Sequence, residues 1–270
     1  MPPPEITSVD DPRLADFVAL NDPGRRRQVE RSGGYFVVEG SLALEQLLRV
    51  GGWTVRQVVL LPRAADRLGP ALAPLADRTA VADEAVLREV VGFDLHRGVL
   101  ASVERRPPRP VAAVLRPGEP QLLVALEGVN DHENLGAIYR NAAAFGCAGV
   151  ALDPTTADPF YRRSVRVSLG HVLTVPTMAL AAVPEGIEDL RAAGATVVAL
   201  APGGERPLRS LDRSVLGGGP IVVLAGAEGP GLTEGALAAA DVRASIPMPS
   251  EVDSLNVATA LAVALFHLAV

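Results

Sequence analysis

A chain of 270 residues with 49% hydrophobic and 21% charged side chains is long enough for two compact domains and too apolar to be disordered. Its formal net charge of -6 argues against a uniformly basic, nonspecific nucleic-acid binder, because phosphate binding is driven by cationic side chains displacing counterions. The lone Cys147 excludes an internal disulfide, and His96, His132, His171 and His267 lack ligand spacing, so no metal is expected.

The amino-terminal Met1-Pro2-Pro3-Pro4-Glu5 has no basic region followed by an apolar run, so no secretory signal is expected and a cytoplasmic location follows. Residues 12 to 20 pattern as an amphipathic helix. The turn Asn21-Asp22-Pro23-Gly24 then leads into Arg25-Arg26-Arg27 and Arg31, either a nucleic-acid-gripping arm or a solvated basic surface. Strands are expected at Tyr35 to Glu39, Val55 to Leu61, Thr79 to Val81 and Gly98 to Val103. Gly40 breaks the first before the helical run Leu42, Leu44, Leu47, Leu48, and a helix is expected from Asp83 to Val91. This alternation implies a small α/β domain over residues 1–104. His96-Arg97 fits either a turn before a strand or a site residue pair.

Residues 105–120 hold Pro107, Pro108, Pro110, Pro117 and Pro120, which predicts an extended, semi-rigid linker. Residues 121–270 form the second domain. Apolar strands are expected at Gln121 to Leu126, Gly149 to Leu152, Val172 to Val175, Thr196 to Leu200 and Ile221 to Ala225. Helices are expected from Asn134 to Phe145 and near Pro184 to Ala193, which together predict a parallel α/β sheet. A further helix is expected to start at Asp158-Pro159 and to carry Arg162, Arg163 and Arg166 as a phosphate-binding or solvent-facing row. All 25 basic residues are arginine. Arginine suits bidentate phosphate contact and stacking, and a codon bias toward G and C accounts for the same choice. The last segment, from Ser254 as cap to Val270, is apolar on nearly every face and is expected to be buried. It is shorter than about 18 residues and carries His267, which weighs against the rival reading as a membrane span.

Chemistry concentrates in three stretches. The first is Asn134-Leu135-Gly136-Ala137-Ile138-Tyr139-Arg140, with Asn134 at a helix start and Arg140 about one and a half turns on. The second, Gly226-Ala227-Glu228-Gly229-Pro230-Gly231, sits at a strand's carboxyl end, the usual ligand position in an open α/β sheet, yet it is not a dinucleotide fingerprint. The third, Ile246-Pro247-Met248-Pro249, leads into Ser254-Leu255-Asn256-Val257. Its prolines keep the backbone out of helix and ladder and leave amides and carbonyls for a ligand.

In order and spacing these three stretches resemble the motifs of the SpoU (TrmH-type) RNA 2'-O-methyltransferases of the SPOUT superfamily. Tyr-Phe-Val-Val-Glu-Gly at 35–40 is similar to the opening of the ribosomal-protein-like substrate-binding domain that precedes many of them. The resemblance implies an α/β fold with a parallel sheet and a carboxyl-terminal deep trefoil knot, and S-adenosylmethionine as cofactor. Cofactor contacts carry over to Gly226, Ile246 and Leu255, and catalytic or substrate-positioning roles to Arg140, Asn134, Glu228, Ser254 and Asn256. Pro249 and Ser250 depart from the glycine that many relatives carry there. The implied partner is ribosomal or transfer RNA, with no membrane, while the final helix, with Leu255, Ala258, Ala262 and Leu265 on one face and Val257, Leu261, Ala264 and Leu268 on another, predicts a homodimer of the second domains. Arg140 is either the base or a phosphate clamp. A non-catalytic RNA-binding or ribosome-assembly protein would not need these motif residues, and another α/β small-molecule enzyme would need a nucleotide fingerprint that is missing. Substrate choice is expected in residues 1 to 104 and the arginine clusters.

Overall fold

A computed structural model of the chain describes residues 3–22, 24, 34–95 and 97–269. Two compact units result: Met1–Arg106 with Phe160–Leu173, and Pro107–Pro159 with Thr174–Val270. In chain order the elements are β1 (Glu5–Ile6), β2 (Tyr35–Glu39), α1 (Ser41–Val50), β3 (Val55–Leu60), α2 (Pro62–Leu68), β4 (Thr79–Ala82), α3 (Glu84–Val91) and β5 (Val99–Glu104). There follow β6 (Leu122–Glu127), α4 (His132–Ala144), β7 (Gly149–Leu152), α5 (Arg162–Val167), β8 (Thr177–Ala179), α6 (Glu185–Ala192) and β9 (Thr196–Leu200). The last are β10 (Arg206–Pro207), β11 (Ile221–Gly226), α7 (Glu234–Ala239), β12 (Val242–Ser245) and α8 (Val257–Leu268).

The first unit is a mixed five-stranded sheet in the order β1-β4-β3-β5-β2, with β5 antiparallel to both neighbours. Ile6, Leu14, Phe17, Leu87 and Leu100 fill one side of it. The helix expected at 12 to 20 is a shorter 3-10 turn, Pro12–Phe17, capped by the Asp11 carboxylate, and it stops before Ala19, which takes φ 51. A left-handed residue cannot continue a right-handed helix. The arginine stretch 25–31 and His96 lie outside the described residues.

The contiguous domain expected at 1–104 gains α5 and its flanks. Phe160 packs its ring 4.9 Å from Phe36 and 5.7 Å from Trp53, and the Trp53 indole donates to the Leu173 carbonyl at 3.2 Å. The expected arginine row is spent differently from a phosphate-binding face. Arg162 and Arg166 both pair with Glu39, at 2.6 and 3.2 Å, and the Arg162 guanidinium also lies over the Phe93 ring. The Glu39 side chain is 6% exposed and that of Arg162 13%. α5 starts at Arg162 rather than at Asp158. The strand expected at 172–175 is a 3-10 turn, because Leu169 and Gly170 both take positive φ and fold the chain over α1.

The second unit is a seven-stranded, all-parallel sheet in the order β10-β12-β9-β11-β6-β7-β8. Its central strands are continuous apolar runs because both faces are covered; Leu123, Val197, Val222 and Leu224 pack with Ile187 and Leu190 of α6. The proline-rich linker proves to be packed structure. Arg109 bridges to Met178, Val111–Ala113 forms a 3-10 turn, and Val114 and Leu115 enter the core, since the apolar residues between the prolines gain more by burial than by extension. The cap of α8 is Asn256, not Ser254: its Oδ1 accepts from the amides of Ala258 and Thr259 at 3.0 and 3.2 Å. α8 is also not buried all round. Val257, Leu261, Ala264 and Leu268 face the chain's own core, whereas Phe266 is 74% exposed.

Among the described residues no helix is long and apolar enough to cross a membrane, and no group of three or more metal-ligating side chains exists.

Candidate active site

The carboxyl ends of β9, β11 and β12 and the start of α8 surround a cavity of about 410 Å³. Parallel strands make this edge a ligand position, because the chain leaves every strand there and backbone groups are free of the ladder. Gly226, Ile246 and Leu255, the expected cofactor contacts, line it, as do Glu228, Ser254 and Asn256. Met248, Ala225, Val257 and Ala260 add apolar wall.

Gly226 is required by the loop before it is required by any ligand. A Cβ there would lie 2.3 Å from the Gly231 carbonyl, because the loop doubles back on itself with Gly231 donating to the Ala227 carbonyl at 3.0 Å. This close return presents Glu228 toward α8. The Asn256 Nδ2 donates at once to Glu228 Oε1 at 2.6 Å and to Asn134 Oδ1 at 2.7 Å. Asn256 is thereby fully committed, both amide hydrogens outward and its oxygen to the helix cap. One acceptor oxygen of Glu228 and the donor amide of Asn134 are left for a ligand.

Asn134 itself is set by Asp131, which caps α4 by accepting from the amides of Glu133 and Asn134 at 2.7 and 2.9 Å. The chain enters α4 through Gly128, whose amide donates to the buried Asp153 at 3.0 Å. Burial pushes the Asp153 carboxyl up, but hydrogen bonds from the Thr155 and Thr156 hydroxyls and the Gly128 amide outweigh it and hold the group below its ordinary value.

Arg140 and Ser254 stand apart from this cluster. Arg140 is exposed on α4, does not line the cavity, and has no ion-pair or hydrogen-bond partner among the described residues. Six residues beyond Asn134 it points some 120° away around the helix, whereas Asn141, at seven, faces α8 and donates to the Ala258 carbonyl at 2.9 Å. Ser254 lines the cavity with its hydroxyl exposed.

Sequence reasoning missed the wall formed by Leu200, the last residue of β9, with Ala201 and Pro202 after it. The signal was present, a strand ending in Pro202-Gly203-Gly204, the same strand-then-turn pattern as at Gly226. It also missed Glu127 and Asp153, two buried carboxylates at strand ends.

Residues 121–266 match the SpoU rRNA Methylase family. An uncharacterized tRNA/rRNA methyltransferase of Mycobacterium bovis is 39% identical over 97% of this chain and 90% of its own length. A 23S rRNA (guanosine-2'-O-)-methyltransferase of Ralstonia nicotianae is 32% identical over 70% of this chain and 76% of its own. The crystal structure of an AdoMet-bound rRNA methyltransferase from Sinorhizobium meliloti superposes with a TM-score of 0.81 at 31% identity, covering 97% of this chain and 96% of that one. The chain belongs to the SpoU rRNA methylase family of RNA methyltransferases.

Proposed function

We propose that the chain transfers a methyl group from S-adenosylmethionine to a ribose 2'-oxygen of ribosomal or transfer RNA. The carrying observation is the Asn134–Asn256–Glu228 cluster at the edge of an apolar, glycine-cradled cavity. The cavity lies within the range of about 300–1,000 Å³ typical of small-molecule sites. Its fit is to a nucleoside with a short charged tail: aliphatic walls at Ile246, Leu255 and Leu200, and loop backbone groups for ring nitrogens. No lysine or arginine lines it, which suits a cofactor carrying its own positive sulfonium. When bound, that cofactor supplies the electrophilic methyl.

The chain's residues supply position. Asn134 Nδ2 and the open Glu228 oxygen form a donor and acceptor pair suited to ribose hydroxyls, and Asn256 holds both in place. Arg140 grips the adjacent phosphate. A guanidinium keeps its proton in proteins, so Arg140 acts as an anion clamp on the RNA backbone outside the cavity, and the hydroxyl proton passes to water as the oxygen–carbon bond forms and the methyl's bond to sulfur breaks. Ser254 closes the mouth of the cavity beside Leu255.

The second unit is assigned the family's deep trefoil knot, a reading supported by two loops, 226–233 and 246–256, that follow β11 and β12 and line one cavity. A homodimer through α4 and α8 is supported by Phe266, exposed and edge-on to Phe145 at 6.2 Å. Substrate grip is assigned to the first unit. The test of the reaction is incubation of the full chain with RNA and methyl-labelled S-adenosylmethionine, followed by digestion to nucleosides. Label in 2'-O-methyl nucleosides is expected; label confined to base-methylated nucleosides overturns the reading.

A further inference from the structure

Glu127 ends β6 and is 8% exposed, yet among the described residues no arginine pairs with it. A buried carboxylate without a cationic partner is costly unless its oxygens are bonded. Both are bonded, and to one residue: Thr233 donates its amide to Glu127 Oε2 at 2.9 Å and its hydroxyl to Oε1 at 2.8 Å. The same hydroxyl accepts from the Ala236 amide at 3.2 Å and so caps α7.

The two residues clamped to this strand end are the two ends of one loop. Gly226 pairs with Glu127 in the ladder between β11 and β6, and Thr233 returns to the Glu127 side chain. Between them lies the doubled loop that carries Glu228 to its 2.6 Å contact with Asn256. The loop has three glycines, at 226, 229 and 231, two of them at positive φ, and its internal tie is the Gly231 amide donating to the Ala227 carbonyl, which leaves the loop's two ends to be fixed from outside. Glu127 does not line the cavity.

We infer that Glu127 is the positioning residue of the cofactor loop, a bidentate latch on Thr233 that fixes the place of Glu228 and of the cavity wall before any ligand arrives. This rests on reading the cavity as the S-adenosylmethionine site. The pre-organisation is energetically useful because a loop already held in its bound shape loses less entropy on binding.

The test compares the parent chain with Glu127→Gln, Thr233→Val and Thr233→Ser. Calorimetry with S-adenosylmethionine should show Kd raised about tenfold or more by Glu127→Gln and Thr233→Val, with parent-like binding in Thr233→Ser, which keeps both donors. KM for S-adenosylmethionine should rise by more than kcat falls. Hydrogen exchange of the 227–232 amides, measured without cofactor, should quicken about tenfold in Glu127→Gln while the β6 amides keep their rates. If Glu127→Gln lowers only the melting temperature and leaves Kd, KM and loop exchange at parent values, the latch is overturned. A parent chain that fails to bind S-adenosylmethionine overturns the cofactor reading instead, and the exchange experiment still decides the latch.

Discussion

The two units differ most in charge. Of the 25 arginines, 17 lie in the first unit and 8 in the second, whereas the 31 carboxylates divide as 15 and 16. The first unit is therefore +2 and the second -8, a division hidden by the total of -6. The unit with the cavity is the one a polyanion should avoid. The proposed function therefore assigns the grip on RNA to the first unit and to Arg140, the one exposed guanidinium on the helix that starts the site. The segment 160–173 sharpens the asymmetry, since Arg162, Arg163 and Arg166 belong to the first unit. It also makes a cut near residue 121 a poor probe of the division, because Phe160 and Trp53 would lose each other.

Removing the clamp gives the largest expected effect. Arg140→Ala should leave S-adenosylmethionine affinity at the parent value and lower methyl transfer by several orders of magnitude in a labelled-methyl assay, and Arg140→Lys should not restore a bidentate contact. Near-parent turnover would move Arg140 out of the site. Asn256→Ala should cost about two to three orders of magnitude in turnover, the scale of one pre-organised donor, and about 1 kcal/mol of stability through the lost helix cap. In the first unit the counterpart is purely structural. Glu39→Ala strands Arg162 and should cost about 3 kcal/mol in denaturant unfolding, with the second unit's cofactor binding unchanged.

Smaller effects follow from single groups in the second unit. The depressed Asp153 carboxyl contributes stability at pH values above its unfolded value near 4, and that contribution is lost as pH falls through its lower folded value. Asp153→Asn should therefore flatten the acid limb of the stability profile. If the proposed homodimer forms, the parent chain should sediment as a dimer at micromolar concentration and Phe266→Arg as a monomer with the fold unchanged. Burial pushes the Cys147 thiol up to about 12, so alkylation at pH 8 should be negligible until the chain unfolds.

What was legible in the sequence follows a physical division of its own. The strands at 35–39, 149–152 and 196–200 were readable because apolar runs bounded by glycine or proline have one good solution. Asn134, Glu228 and Asn256 were readable as motif residues, though their mutual hydrogen bonds, 122 and 28 residues apart in sequence, were not. Local pattern carries no record of such partners. Asp158-Pro159 looked like a helix start and was not, since the pull on that segment comes from Phe36, Trp53 and Glu39 more than a hundred residues earlier. The proline density at 105–120 masked Val114 and Leu115, whose burial decides that segment.

The division of labour between the units is tested most directly by photo-crosslinking the full chain to a structured RNA substrate and mapping the crosslinked peptides by mass spectrometry. Crosslinks are predicted mainly in residues 1–106 and 160–173, with one further site on the helix bearing Arg140. Crosslinks confined to residues 174–270, with the first unit clear, would contradict it and assign RNA recognition to the acidic unit.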